Sequence, residues 1–197
     1  MKQETEFSTK DSLHLIRDMI GKARLSYTSK GIASIVWGTL IMFCGIFEWA
    51  QIQLNFKIGF DIWLLLILAL IPQIYFGVKE RRSRDFVGHD EQTITFVWIA
   101  YTICIFITCF YSAKFRVESS ASLIMILFGM PTFITGGIFK LKSSIIGGVI
   151  CWVLSLVSMF TNFSTDMLLM AACGLFAWII PGVILWNRYK KQLLANV

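Results

Sequence analysis

Beyond residue 30, long apolar runs alternate with short polar connections to nearly the end of the chain. Six of these runs, about residues 31–50, 61–78, 93–111, 121–139, 144–160 and 167–186, fall in the range of roughly 17–25 residues that crosses a bilayer as helix. A backbone inside lipid has to satisfy its own hydrogen bonds, so runs of this length predict helices, not open sheet. The expected fold is an all-α integral membrane protein, a six-transmembrane-helix bundle over residues 29–188. It follows an N-terminal segment, 1–28, and ends in a tail, 189–197.

The N-terminal segment carries a different period. Leu13, Ile16, Ile20, Ala23 and Tyr27 recur at steps of three and four residues, with His14, Arg17, Asp18 and Lys22 on the other faces, which predicts an amphipathic helix. Ser8 or Thr9 is placed to cap it, with Asp11 in the first turn. It is too polar to span and is expected on the cytoplasmic side, lying on the inner leaflet or against a partner helix. Leu13, Ile16 and Ile20 are the candidate contact residues.

Charge sets the orientation. Of the 18 Lys and Arg residues, 15 fall on the side of both termini, in the N-terminal segment, around Lys79–Arg84, at Lys140 and Lys142, and in the tail. Lys57, Lys114 and Arg116 make up the other 3. Basic loops stay in the cytoplasm, so both termini are expected inside. The net charge of +6 then reflects orientation, and nothing in the sequence supports nucleic-acid binding. Hydrophobic residues make up 56% of the chain, above the roughly 45–50% of soluble domains. The charged start predicts no cleaved leader. Cys44, Cys104, Cys109, Cys151 and Cys173 all lie in apolar runs and form no C-x-x-C pair, so they read as small packing residues.

Small residues form seams: Gly31, Ser34, Gly38 and Gly45 in the first run, Gly129, Thr132 and Gly136 in the fourth, and Ser144, Gly148, Cys151, Ser155 and Ser158 in the fifth. Met170, Gly174, Ala177 and Pro181 continue the pattern in the sixth. Such seams let helix backbones approach closely in lipid and predict a compact bundle, with a spare seam open to a homodimer. Pro72, Pro131 and Pro181 fall in the even runs, while Trp37, Trp98 and Trp152 fall in the odd ones. That order suggests three pseudo-repeated helical hairpins.

Candidate chemistry is sparse. No acidic or basic residue falls near the middle of a run, which weighs against a proton- or ion-coupled carrier. Glu48, Asp61 and Asp166 sit at outer ends, where solvated acids at helix termini are expected. Gln73, Tyr75, Tyr101, Thr102, Thr132 and Thr135 are the polar groups at depth; Gln73, Tyr101 and Thr132 are the candidate lining of a cavity beside the proline-interrupted runs. His89 stands beside Asp85, Asp90 and Glu91, a set better suited to a solvated loop than to a metal site. Metal-protease, P-loop and hydrolase motifs are missing, so neither an enzyme nor a cofactor is expected. Asn162-Phe163-Ser164 is a glycosylation sequon.

From Gly129-Met130-Pro131-Thr132 through Gly136, Gly147-Gly148 and Trp152 to Ile180-Pro181-Gly182, and in Ser12-Leu13 through Ala23 and Trp37-Gly38, the chain resembles a group of uncharacterised six-span bacterial membrane proteins. The resemblance implies a bacterial inner-membrane setting and supplies no activity. The expected role is therefore that of a non-enzymatic membrane protein acting through protein or lipid contacts. A small-solute transporter or channel is the alternative.

Overall fold

A computed structural model describes residues 31–56, 58–82, 89–115, 117 and 120–195. The N-terminal segment with Leu13, Ile16 and Ile20 lies outside the described residues, as do residues 83–88 of the inner loop. Every regular element among the described residues is a helix: α1 (Gly31–Gln53), α2 (Leu64–Arg82), α3 (His89–Phe115), α4 (Ser120–Ile138), α5 (Lys142–Ser158), α6 (Phe163–Gly174) and α7 (Ile180–Ala195). A π-helical turn, Leu175–Ile179, joins α6 to α7. Four helical stretches, Gly31–Gln53, Gln92–Phe115, Ser120–Ile138 and Phe163–Arg188, are long and apolar enough to cross a membrane; α5 and the apolar part of α2 are shorter.

Glycines at seven-residue steps set the packing of α1. A Cβ added at Gly31 would meet the Gly182 carbonyl at 2.8 Å, one at Gly38 the Gly174 carbonyl at 2.8 Å, and one at Gly45 the Met167 carbonyl at 2.7 Å. These three contacts run α1 antiparallel along α6, the π turn and α7, with the backbones too close for any side chain between them. At the far end, Gln53 Nε2 donates to Ser164 Oγ at 3.1 Å. A repeat of seven is the period of left-handed packing. The sixth run keeps the period from Met167 to Gly174, then needs eight residues to reach Gly182. The extra residue is taken up by the π turn, where the Ile180 amide donates to the Leu175 carbonyl. Pro181 follows directly and has no amide to give an α-helical bond. The face turned to α1 is therefore Gly174 and Gly182. Pro181, at the regular helical spacing, is not part of it, because the wider turn shifts the register by one residue.

The α4–α5 hairpin is built the same way. Ser155 Oγ donates to the Ser122 carbonyl at 2.9 Å, Gly129 lies against the Gly148 carbonyl and Trp152, and Gly136 lies against the Ile145 amide. Ser122, Gly129 and Gly136 again keep steps of seven. Trp152 Nε1 donates to the Ile126 carbonyl at 3.2 Å, so the indole locks the seam at the glycine gap. On its other side α5 meets α6 and the π turn, with Gly147 against the Phe176 carbonyl and the Ala177 Cα. The seams expected in the first, fourth and fifth runs thus carry the observed contacts.

α2 and α3 stand at the margin. Leu64, Ile67, Leu68, Ile71 and Ile74 of α2 and Phe96, Ile99, Ile103, Phe106, Ile107 and Phe110 of α3 are all exposed. Ile62 and Trp63, just before α2, anchor its start: Ile62 is buried and its carbonyl accepts from Cys44 Sγ at 3.7 Å.

Candidate functional site

The buried centre of the bundle is aromatic on one side and sulfur-bearing on the other. Trp178, in the π turn, packs edge-on against Trp98 of α3 at 5.2 Å and near Trp37 of α1 at 6.4 Å and Phe128 of α4 at 6.2 Å. Tyr101 joins through Trp98 at 5.5 Å and Phe128 at 6.1 Å. Ring centres 5–7 Å apart are in direct contact, so these five rings form one continuous cluster. Ser34 Oγ donates to the Trp178 carbonyl at 3.0 Å, which satisfies one backbone acceptor at the irregular turn. Trp178 Nε1 and Thr135 Oγ1 are buried with no protein partner.

Beside the rings lie Met125 of α4, Cys151 of α5, and Met167, Met170 and Cys173 of α6, in one continuous buried cluster. α5 and α6 run antiparallel, matched at Ser158 with Asp166 and at Gly147 with Ala177. That register sets Cys151 level with Cys173, both buried in the one cluster. The register of α4 on α5 places Met125 one turn from Ser122, at the same level. Cys44 is buried elsewhere, while Cys104 and Cys109 are exposed on α3. The reading of cysteines as packing residues thus describes positions 44, 151 and 173, and not the two on α3.

The polar residues singled out in the sequence are not brought together. Gln73 and Tyr75 are exposed on α2, Tyr75 to 64%. Tyr101 belongs to the aromatic cluster. Thr132 is buried and donates to the Phe128 carbonyl of its own helix at 2.9 Å, a local bond that occupies its hydroxyl. Thr102 does the same with the Trp98 carbonyl at 2.8 Å. Trp152 lies apart from the Trp37–Trp98–Trp178 group, against Phe133 at 5.2 Å. Of the three tryptophans of the odd runs, Trp37 and Trp98 therefore share one environment and Trp152 occupies another.

Asp166 departs from the solvated acid expected at a helix end. It is only 3% exposed, and its Oδ1 accepts from Ser158 Oγ at 2.8 Å and Thr161 Oγ1 at 2.6 Å. The carboxylate closes the α5–α6 turn from the first turn of α6, where the helix dipole favours it. The hydroxyls five and eight positions away, in a short apolar-to-apolar connection, were the available sign of such a role. Asp61 Oδ1 instead accepts the Trp63 amide at 2.9 Å at an exposed site before α2. Among the described residues no three His, Cys, Asp or Glu side chains converge as a metal site. His89 opens α3. The chain matches no known protein family, no curated protein and no solved structure.

Proposed function

We propose that the chain is a non-enzymatic, six-span integral membrane protein with both termini in the cytoplasm, acting through contacts with a protein partner or with lipid. The resemblance described above would place it in a bacterial inner membrane. In favour of six spans, α5, 17 residues long and so roughly 26 Å at 1.5 Å per residue, lies antiparallel between α4 on one side and α6 with the π turn on the other, so it crosses if they do. The side assignment rests on the 15 basic residues gathered around the termini and inner loops.

The observation that carries the contact reading is the asymmetry of the bundle. α1 and α4 to α7 bury their seams in one another around an aromatic centre, whereas α2 turns Leu64, Ile67, Leu68, Ile71, Ile74 and Gln73 outward. A polar amide on an outward face of a membrane helix gains from meeting another polar group across an interface. The N-terminal segment, joined to α1 at Gly31, supplies the second contact element through Leu13, Ile16 and Ile20. A homodimer through α2 is the simplest form of such an assembly.

Native mass spectrometry of the protein released from its own membrane tests this reading. A second subunit or a reproducible partner is expected, reduced by Gln73→Leu or by removal of residues 1–27. A monomer without partner or retained lipid overturns it. So does a bound small solute displaced by Gln73→Ala or Thr132→Ala, which would establish the transporter alternative.

A further inference from the structure

We propose that Cys151, Cys173, Met125 and Met170 form a binding site for a soft monovalent metal ion of the Cu(I) class, buried between α4, α5 and α6. The four sulfur-bearing residues come from three helices and belong to one buried cluster. Cys151, Cys173 and Met125 are each 0% exposed, and Met170 is 2% exposed. Met170 lies one helical turn before Cys173 and shares its face. Antiparallel pairing at Ser158–Asp166 and Gly147–Ala177 brackets Cys151 and Cys173, so both thiols lie near the middle of the α5–α6 contact and not at a frayed end. The register of α4, fixed by Ser155 on Ser122 and by Gly148 on Gly129, brings Met125 to that level from the third helix.

The donor set decides the class of ion. Thiolate and thioether sulfurs favour Cu(I), while Mg²⁺ and Ca²⁺ need oxygen donors. Zn²⁺ in a closed site needs four donors drawn from thiolate, imidazole and carboxylate, and no such cluster exists among the described residues. Charge points the same way. A monovalent ion displaces one thiol proton, Cu⁺ + R–SH → R–S–Cu + H⁺, with the proton released to water. The second thiol and both thioethers stay neutral, so the bound site has the same net charge as the empty one. A divalent ion would have to displace both thiol protons to keep the site neutral, and would then be left with two thioethers in place of the imidazole, carboxylate or further thiolate donors that a closed Zn²⁺ site uses. The adaptable thioether side chains of Met125 and Met170 complete the coordination without displacing backbone.

The test uses the full chain in lipid nanodiscs, reduced and without oxygen, in a Cys104→Ser, Cys109→Ser background that removes the exposed thiols. Cu(I) is titrated against a chromogenic Cu(I) chelator, and Ag(I) serves as a redox-inert probe. A single bound equivalent is expected, with only sulfur neighbours in copper X-ray absorption. Because binding releases a proton, affinity should rise about tenfold per pH unit while the thiol is protonated. Cys151→Ser with Cys173→Ser should abolish binding. The volume-conserving pair Met125→Leu and Met170→Leu should weaken it by at least about tenfold, the scale on which even outer-shell partners act. That pair keeps the test open if the serine variant fails to fold. Absence of binding above empty nanodiscs, copper retained by the folded serine variant, or unchanged affinity in the methionine variant each overturns the proposal.

Discussion

At the scale of single residues, two buried features make opposite demands on substitution. Asp166 accepts two hydroxyl donors in a turn with almost no water contact. Asp166→Asn keeps an oxygen in place and should cost little. Asp166→Leu strands the buried Ser158 hydroxyl and should destabilise by about 1–3 kcal/mol, measured by reversible unfolding in detergent; equal stability of the two variants would exclude this role. Gly38 makes a steric demand. A methyl there would stand 2.8 Å from the Gly174 carbonyl, whereas one at Gly137 would meet nothing within 4 Å. Gly38→Ala is therefore expected to cost about 1–3 kcal/mol as overpacking, and Gly137→Ala to stay within about 0.5 kcal/mol. The same unfolding measurement separates the two. The Gly38 seam was legible in the sequence because small residues recur at helical spacing. The burial of Asp166 was not, since an acid at the end of an apolar run ordinarily faces water.

Among the elements, the end of α4 shows a conflict between backbone and charge. The Leu141 amide donates to the Gly136 carbonyl at 2.8 Å and the Lys140 amide to the Gly137 carbonyl at 3.3 Å, the bond pair of a Schellman C-cap. The residue in the left-handed position is Lys140, φ 53°, where glycine is usual. Under the proposed topology, a lysine in this inner turn serves orientation at the expense of backbone ease. Lys140→Gly should therefore stabilise the folded hairpin by about 1 kcal/mol, the left-handed penalty of a residue with a Cβ, with no change in the α4–α5 seam. A loss of stability on thermal unfolding would contradict this. Helix existence and seam positions were readable from apolar runs and glycine spacing. The π turn was not: Leu175–Ile179 has no compositional mark of its own, and only its neighbour Pro181 hints at it. Missing that one inserted residue moves the predicted contact from Gly182 to Pro181. The outward position of Gln73 was likewise hidden, because periodicity in an almost wholly apolar helix does not say which side meets protein.

For the whole molecule, the decisive quantity is whether α5 crosses the membrane. Four helical stretches are long enough by themselves, and α5 is shorter, at 17 residues. Packing argues for its crossing more strongly than length does. Its serines and glycines are matched with α4 on one side, at Ser155 and Gly148, and with α6 and the π turn on the other, at Ser158 and Gly147. A helix held this way cannot turn back inside lipid without exposing unpaired backbone groups. The two ends of α5 should then lie on opposite sides of the membrane. Single cysteines at exposed Asn162 and Lys140, each in the Cys104→Ser, Cys109→Ser background, report this with a membrane-impermeant maleimide. Asn162→Cys should label in intact cells, and Lys140→Cys only after the membrane is opened, as expected if the basic residues are inside. Labelling of both from one side would mean that α5 does not span, and the six-span arrangement would fall with it. Labelling from opposite sides in the reverse sense would keep the spans but place the basic termini outside, removing the cytoplasmic setting on which the N-terminal contact element depends.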